Sequence, residues 1–481
     1  MFFAQKSSVL ATATLFLATS VAHGRQAAPA GHLQHQNTPP VESLSPRMGR
    51  AQEQAHGPLF TLNDAERLAA ECNPTLRQAE TEIRAAKARA QQAGLYPNPS
   101  VGYTGDEIRG GSNNGGKQGF FVEQSIVTGG KLAKSRSVFE EESRAAKFVA
   151  EQQKLRVETS VKIAFYRVLA AQELLEFRRE LSRIGLAYQQ SQDDLFRTGQ
   201  VDESEKLETE IDVQRLHLAA IEQENVLREK WRRLAAVIGQ AGLPQAVVGG
   251  DLGEGWPELD EAQVLTTIVS LSPAVRIADA GSSRAAAEMA RAKAQVIPDV
   301  NLFGGLEYNN EPLGSTSRAT GWEGLAELSV QLPIFNRNQG NIAAAGAELE
   351  RTQLEKQRIQ LLLHERTASL LDQYATAKVV AMQYRDEILP RAKKANAFMA
   401  ERYGQMLAAY PHVLQAQRKH FELACEYVKA LDTVWSTALA LEGFLLTDGL
   451  EAPVKTMSPV RESKTRIPNR TVFPSEPMPL P

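Results

Sequence analysis

The chain has 481 residues, of which 43% are hydrophobic and 6% aromatic, and this length is sufficient for two or three domains with a substantial core. Its formal net charge is −3 at pH 7, so it lacks the basic excess that favours nucleic-acid binding, and no nucleic-acid partner is expected. The two cysteines, Cys72 and Cys425, form neither a CxxC motif nor a zinc-type cluster. They are expected to be small core residues, and they would pair only if the fold brings them together.

The N-terminus, residues 1–22, resembles a secretory signal peptide. Lys6 precedes a mostly apolar run, and Ser-Val-Ala ending at Ala22 is a small-residue cleavage site, so cleavage is expected near Ala22. A buried N-terminal helix is the alternative interpretation. Residues 23–58 predict a disordered spacer, and residues 448–481 a disordered Pro-rich tail. No later run of 18 apolar residues is found, so no transmembrane helix is expected.

The rest of the chain is a tandem duplication. Pro74 aligns with Pro273 and Val101 with Val300, both 199 residues apart, and "VEQSI" (122–126) aligns with "VQLPI" (330–334), 208 residues apart. The difference between the two offsets is expected if the copies differ in loop length. The copies are assigned to residues 59–250 and 251–447.

Each copy predicts the same elements: a helix ended by proline, two strands, a very long helix and a return helix. In the first copy they are expected at 62–95, 100–106, 118–127, 130–195 and up to Gly239. In the second copy they are expected at 260–296, 299–308, 322–333, 338–400 and up to about Gly443. At about 1.5 Å per residue, each long helix would extend about 100 Å. The first helix and the return helix together can pair with it along its whole length, and the return helix carries a heptad seam at Leu227, Trp231, Leu234 and Ile238.

The strands alternate between apolar and polar residues, and each is about ten residues long, as a tilted membrane-spanning strand is. Phe303 and Leu325 are exceptions to the alternation. The residues expected to face lipid are Val101, Tyr103, Phe120, Val122, Val300, Leu302, Tyr308, Trp322, Leu328 and Val330. The residues expected to face a wet lumen are Glu123, Glu307, Glu323 and Glu327.

Four such strands are too few to close a barrel in a membrane, because the smallest bacterial barrels have about eight. An open edge in lipid would leave unpaired backbone groups, so several copies of the chain must contribute strands if these strands lie in a membrane. The alternative is a small soluble sheet that caps a coiled coil.

The duplication and its motifs resemble the TolC-like outer-membrane efflux factor family over about residues 60–447. The matching segments are "NPTLRQAETEIRAAKARAQQAGLYPNPSVGY", "FVEQSIVTGGKLAKSR", "LSVQLPIFNRNQGNIAAA", "FRTGQVDESEKLETE" and "ERYGQMLAAYPHVLQAQ". The "GGK" and "FNRNQGN" forms are most similar to the heavy-metal efflux (CzcC-like) branch. The resemblance implies a homotrimer with a helical tunnel in the periplasm and a twelve-stranded barrel in outer-membrane lipid. It also implies a periplasmic adaptor and an inner-membrane pump as partners.

The long helices end in two turns, Arg197-Thr198-Gly199 and Arg402-Tyr403-Gly404. The resemblance makes these the adaptor-docking turns, while simple helix termination by a left-handed glycine is the alternative. Asp202, followed by Glu205, is expected to cap the first return helix, and the second copy lacks this acidic cap.

Asp202, Glu203 and Glu205 lie where a threefold acidic ring would narrow the entrance and attract cations. A solvated helix start is the plainer interpretation of the same residues.

Enzyme motifs are not found: "TGGKL" (128–132) lacks the spacing of a P-loop, and no HExxH motif or nucleophile elbow is present. No catalysis, cofactor or metal site is expected. His412 and His420 are expected to share a helix face as solvated or packed residues. Loose metal capture by the spacer histidines is a hypothesis, and these are His23, His32, His35 and His56.

The sequence therefore predicts a mainly α protein with a small membrane β-barrel, in which long helical hairpins form a trimeric α-barrel. The predicted function is a passive outer-membrane export duct of a tripartite efflux system, with heavy-metal cations as one possible cargo. The competing hypothesis is a secreted or periplasmic coiled-coil scaffold that never enters lipid.

Overall fold

The computed structural model describes residues 59–106, 108, 116–312 and 319–455, which form long helices and one four-stranded sheet. The first copy contains α1 (Leu62–Cys72), α2 (Pro74–Ala93), β1 (Ser100–Asp106), β2 (Lys117–Ile126), α3 (Lys131–Arg197) and α4 (Glu203–Ile238). The second contains α5 (Glu261–Leu271), α6 (Pro273–Ala294), β3 (Val300–Pro312), β4 (Ala319–Val330), α7 (Gln339–Gln383), a π-helical turn (Tyr384–Ile388), α8 (Leu389–Gly404) and α9 (Tyr410–Glu442). The same order of elements occurs twice, as a tandem duplication predicts. The expected signal peptide, the spacer and most of the tail lie outside the described residues.

The first helix of each copy is broken in two, so the prediction of single helices over 62–95 and 260–296 is wrong. Asn73 accepts a hydrogen bond from the Thr75 amide at 2.9 Å, and Ser272 accepts one from the Ala274 amide at 3.3 Å. Each of these caps precedes a proline, which favours the first position of a new helix and disfavours helical backbone at the residue before it. The repeat alignment had matched Pro74 with Pro273 without assigning them this role.

The second long helix is also interrupted, because a π-helical turn, Tyr384–Ile388, separates α7 from α8. Pro390 follows two residues later. A proline has no N–H to donate and its ring crowds the carbonyl of the residue four positions earlier, which here is Asp386. The wider π turn accommodates both defects without ending the helix.

One helical stretch, 261–294, is long and apolar enough to cross a membrane by length and composition alone. This differs from the expectation that the mature chain has no such segment. The stretch consists of two helices that meet at Ser272, and α5 has only 11 residues. The longer part, α6, carries charges from Arg276 to Lys293 and packs against α3 and α7. We therefore do not assign it as a membrane span.

Helix α3 is the centre of the helical packing and contacts α2 and α4 of its own copy and α6 and α9 of the other copy. Tyr166 of α3 stacks on Trp435 of α9 with ring centroids 3.9 Å apart. Phe177 of α3 meets Phe421 of α9 edge to face at 5.9 Å. The expected heptad seam of the return helix is confirmed as buried, at Leu227, Trp231, Leu234 and Ile238.

A buried charge joins three of these helices. Glu142 of α3 is only 1% exposed, and its carboxylate lies 2.8 Å from Arg89 of α2 and 3.9 Å from Arg284 of α6. A buried carboxylate is tolerated when cations and hydrogen bonds compensate for its lost hydration. Glu142 therefore ties the first helices of both copies to the same long helix.

The sheet has the order β1-β2-β3-β4, and all its neighbours are antiparallel. Each copy supplies one hairpin, and the pairing of β2 with β3 joins the two copies. The expected strand bounds differ most for the second hairpin, where β3 extends to Pro312 and β4 runs over Ala319–Val330 instead of 322–333. The outer edges of β1 and β4 have no strand neighbour within the described part of the chain.

Candidate functional site: the sheet faces and the helical turns

The residues expected to face lipid share one face of the sheet. Tyr103 lies opposite Phe120, Leu302 lies opposite Leu328, and the remaining residues of the set occupy alternate positions in the same register. Nine of the ten side chains are exposed and Val300 is half-buried: Val101, Tyr103, Phe120, Val122, Leu302, Tyr308, Trp322, Leu328 and Val330. Such a continuous apolar face without a covering element is unusual for a protein surrounded by water.

Aromatic residues flank the end of this face nearest the loop between β3 and β4. Tyr308 and Trp322 are directly opposite in the register, and their rings meet edge to face at 5.5 Å. Trp322 is 71% exposed. Tyrosine and tryptophan at this level are typical of the aromatic girdles of membrane barrels.

The opposite face carries the four glutamates expected in the lumen, Glu123, Glu307, Glu323 and Glu327. Glu307 lies directly across from Glu323, and the Lys117 ammonium lies 3.4 Å from Glu323 and 3.9 Å from Glu307. Asn309 also donates a hydrogen bond to Glu323 at 3.0 Å. Facing carboxylates repel each other, and the lysine between them offsets that repulsion. The glutamate-bearing face is thus polar, and at this level one lysine compensates part of the charge of two glutamates.

Sequence reasoning missed an aromatic layer on the same polar face. Phe121 lies opposite Gly102 and Gly305, and its ring stacks on Phe303 with centroids 5.3 Å apart. Leu325 lies opposite Gly305 in the same row. The two exceptions to the alternation, Phe303 and Leu325, were the signal that could have revealed this layer. The glycines leave room for the Phe121 ring to lie over the backbone.

The first helical turn has the geometry expected of a glycine-terminated helix. Gly199 has φ +74°, and the Gln200 amide donates to the Leu195 carbonyl at 2.9 Å. Asp202 then caps α4 by accepting a hydrogen bond from the Glu205 amide at 2.9 Å. This arrangement places Arg197, Thr198 and Gly199 at an exposed turn that is held at both ends.

The second turn differs, because the alternative interpretation of a left-handed glycine does not apply to Gly404. Gly404 is the last residue of α8, whereas Met406 takes φ +58° and is 94% exposed. The Leu407 amide donates to the Arg402 carbonyl at 2.8 Å, which closes the same type of helix end two residues later than expected. Tyr403 packs on Tyr410 across the turn, with centroids 5.3 Å apart. The second turn therefore presents exposed apolar residues where the first presents polar ones.

The start of the return helix also distinguishes the two turns. Ala409 occupies the cap position of α9 and makes no side-chain cap hydrogen bond, as the missing acidic cap predicted. The three acidic residues at the start of α4 are all exposed in its first turn, where the helix dipole favours negative charge: Asp202, Glu203 and Glu205.

The histidines of α9 do not share an environment, contrary to expectation. His412 is exposed and His420 is 4% exposed, because a spacing of eight residues rotates a side chain by about 80° around a helix. Within the described ranges, no three His, Cys, Asp or Glu residues lie close enough together to hold a metal ion. The spacer histidines lie outside those ranges.

The cysteines are both free thiols. Cys425 is buried in α9, and burial raises the pKa of its thiol to about 11. A thiol with so high a pKa is a poor nucleophile at neutral pH, so Cys425 acts as a small core residue.

Two segments of the chain, residues 67–240 and 264–445, match the family described as "Outer membrane efflux protein". The chain belongs to this family. The two matched segments each cover one copy of the duplication, from the first helix to the end of the return helix. Membership makes the protein an outer-membrane efflux channel.

Individual relatives agree with this assignment. The cobalt-zinc-cadmium resistance protein CzcC of Cupriavidus metallidurans is 24% identical over 394 residues, which cover 82% of this chain and 91% of CzcC. The open-state MtrE outer membrane channel of Neisseria gonorrhoeae has a similar fold, with a TM-score of 0.63 at 16% identity, covering 82% of this chain and 91% of MtrE. A structure of CusC matches with a TM-score of 0.64 at 16% identity, covering 80% of this chain and 91% of CusC. At these identities the solved structures support the fold alone, and these relatives of the efflux family are described as resistance or channel proteins.

Proposed function

We propose that the protein acts as a homotrimer, in which three four-stranded sheets close into one barrel in the outer membrane. The sheet carries this proposal, because it combines a continuous apolar face with two unpaired edges. In hydrocarbon each unpaired backbone group costs several kcal/mol, so a single copy would be unstable there. Joining edges between copies removes that cost and leaves the glutamate-bearing face around a wet lumen.

The helices supply the second part of the duct. Helix α3 has 67 residues, and at about 1.5 Å per residue it extends about 100 Å away from the sheet. We propose that three copies of the helical hairpins form a tunnel through the periplasm. The turns at Arg197-Thr198-Gly199 and Arg402-Tyr403-Gly404 lie at its far end, where a periplasmic adaptor and an inner-membrane pump would dock. Their different chemistry supports unequal contacts with the adaptor.

The acidic start of α4 would then lie near the entrance of the tunnel. Three copies of Asp202, Glu203 and Glu205 would form a ring that attracts cations and repels anions. The likeness to CzcC supports heavy-metal cations as the exported substrate. An N-terminal signal peptide cleaved near Ala22 fits export of the protein to this location.

A pair of adjacent substitutions in β4 tests the membrane location. Leu328→Arg places a charge on the apolar face, where an arginine near the middle of a bilayer costs about 2–4 kcal/mol. Glu327→Arg places the same charge on the polar face and is the matched control. We expect wild type and Glu327→Arg to fractionate with the outer membrane as trimers, and Leu328→Arg to be strongly depleted there. Recovery of the wild-type chain as a monomer from the aqueous periplasm would refute the proposal.

The substrate is tested separately. A strain that lacks the protein should become sensitive to cobalt, zinc or cadmium salts, and the wild-type chain should restore resistance. Replacing Asp202, Glu203 and Glu205 by their amides should restore it less well at limiting expression. If the strain that lacks the protein became sensitive to an uncharged toxic compound but kept its metal resistance, this result would contradict a metal substrate.

A further inference from the structure

The two edge strands of the sheet, β1 and β4, indicate how copies of the chain pair with each other. We infer that β4 of one copy extends beyond Val330 and pairs with β1 of the next copy, with Leu332 opposite Tyr103 and Ile334 opposite Val101. This inference rests on the proposed trimer and adds the register of its strand junction. It follows from the internal repeat, because the chain already contains one junction between two copies of the repeat.

The internal repeat extends to individual residue pairs, because equivalent residues lie opposite each other in both hairpins. In the first hairpin Val101 lies opposite Val122, and in the second Val300 lies opposite Val330. The sequence alignment relates Val101 to Val300 and Val122 to Val330. Both hairpins therefore have the same register, and an equivalence between strands can be applied residue by residue.

The junction between the copies of the repeat is the pairing of β2 with β3. There Val122 lies opposite Gly304, Gln124 opposite Leu302 and Ile126 opposite Val300. In the sequence alignment, Val122, Gln124 and Ile126 of β2 correspond to Val330, Leu332 and Ile334. Gly304, Leu302 and Val300 of β3 correspond to Gly105, Tyr103 and Val101. Transferring the junction thus places Val330 opposite Gly105, Leu332 opposite Tyr103 and Ile334 opposite Val101.

The ends of β2 and β4 show why a second copy is needed. β2 continues to Ile126, whereas β4 ends at Val330, the equivalent of Val122. Residues 124–126 of β2 pair only with β3, the strand of the other repeat. The equivalent residues, 332–334, have no strand beside them in a single chain. Instead the Ile334 amide turns back to the Leu332 carbonyl at 3.0 Å.

The exposed surfaces at both edges agree with this register. Leu332 is 66% exposed and Ile334 61% exposed, while Val101 is 74% and Tyr103 55% exposed. In the inferred register all four side chains continue the apolar face of the sheet. A slip by one residue would turn one set to the polar face, so the apolar pattern itself selects against it.

Pro333 is compatible with the same register, although a proline cannot donate a backbone hydrogen bond. At the β2–β3 junction the Asn310 amide donates to the Gly116 carbonyl at 3.0 Å, so pairs with even numbers carry the ladder bonds there. The equivalent pairs at the new junction contain Leu332 and Ile334. Pro333 falls between them, at a position where no N–H is required.

Four cysteine substitutions on the polar face test the register. In the inferred junction Gln331 lies opposite Thr104 and Ser329 lies opposite Asp106, both at the closely spaced, non-hydrogen-bonded positions. Within one chain these residues lie on opposite edge strands, about 14 Å apart across three strand spacings, which exceeds the Cα separation of about 7 Å that a disulfide tolerates. A disulfide between them must therefore join two copies. The tests use a background in which Cys72→Ala and Cys425→Ala remove the native thiols.

The four positions give two matched pairs and two shifted controls. Gln331→Cys with Thr104→Cys, and Ser329→Cys with Asp106→Cys, should form covalent dimers and trimers on mild oxidation. Gln331→Cys with Asp106→Cys, and Ser329→Cys with Thr104→Cys, should form several-fold fewer. Stronger cross-linking of either shifted pair would overturn the register. So would the absence of cross-links in all four proteins while they still migrate as outer-membrane trimers. If the protein is instead an aqueous monomer without cross-links, the proposed function fails together with the register.

Discussion

Gly443, at the end of α9, lies against the side chain of Thr159 in α3, so closely that a Cβ atom at Gly443 would overlap it. The contact joins the return helix of the second copy to the long helix of the first. The aligned Gly239 is also closely packed, because a Cβ atom there would overlap the Cys72 backbone, but it has φ +94°, whereas Gly443 has a normal negative φ. Close approach therefore requires a glycine at both positions, and at Gly239 the left-handed backbone conformation requires it as well.

Gly443→Ala is therefore expected to destabilise the protein by about 1–3 kcal/mol, the usual effect of adding a methylene to a closely packed site. Thermal unfolding of the purified protein in detergent measures this change. Gly404→Ala is the matched control, since a Cβ atom there would meet nothing within 4 Å and the residue is helical. An equal loss in both variants would show that the Thr159 contact is not the cause.

The unequal caps of the return helices lead to opposite expectations at the two turns. Asp202→Ala removes a side-chain cap and should weaken the start of α4 by about 1 kcal/mol. Ala409→Asp supplies a cap where the backbone already has extended geometry and should stabilise the start of α9 by a similar amount. Amide hydrogen exchange in the first turn of each helix measures both effects. Changes of the same sign in both variants would contradict the assigned caps.

The buried His420 makes the α8–α9 hairpin sensitive to acid. Burial, with a smaller effect of Lys393, lowers the pKa of His420 below its usual value, so the folded protein keeps this ring neutral. The unfolded chain takes up the proton first, at about pH 6.5. The contribution of His420 to stability is thus present above that pH and is lost as the pH falls through the lowered pKa.

His420→Leu should make the stability of the hairpin less dependent on pH between 7 and 5. His412→Leu, on the same helix but exposed, should leave the dependence unchanged. Thermal midpoints of the three proteins at both pH values decide this. If the thermal midpoint of His420→Leu changes with pH as much as that of the wild type, groups other than His420 cause the acid sensitivity.

The glutamate shared by two arginines is expected to be important for stability. Glu142→Gln removes a buried charge beside Arg89 and Arg284 and should cost about 1–3 kcal/mol, although Glu82 still pairs with Arg89 at 2.7 Å. Glu140→Gln, two residues away, breaks an exposed pair with Arg136 and should cost less than about 1 kcal/mol. Chemical denaturation of both variants measures the difference. Equal denaturation midpoints for the two variants would mean that the buried Glu142 contributes no more to stability than the exposed Glu140–Arg136 pair.

The periodic features of the fold could be predicted from the sequence, since they repeat over many residues. The alternation in β4 placed Trp322, Leu328 and Val330 on one face, and the heptad seam placed Trp231 and Leu234 in the core. The duplication added a second, independent sample of each element. Patterns of this kind survive small errors in the assigned bounds.

Features that depend on a single residue were harder to predict. The helix break before Pro74 and the displacement of the left-handed residue from Gly404 to Met406 each depend on the local backbone conformation of one or two residues. The burial of Glu142 and the stacking of Phe121 on Phe303 depend on which elements meet in three dimensions. No spacing rule along the chain contains that information, although the interrupted alternation at Phe303 indicated that the polar face was not uniform.

The most direct test of the membrane location uses the fluorescence of Trp322. The chain has 4 tryptophans, and Trp322 is 71% exposed on the apolar face, whereas Trp231 and Trp435 are 3% and 5% exposed in the helical core. The protein is reconstituted into vesicles whose acyl chains carry bromine atoms, which quench only tryptophans in contact with the hydrocarbon. We expect strong quenching in the wild-type protein and loss of most of it in Trp322→Phe. No quenching in the wild type, or the same quenching in Trp322→Phe, would contradict the placement of this sheet in lipid.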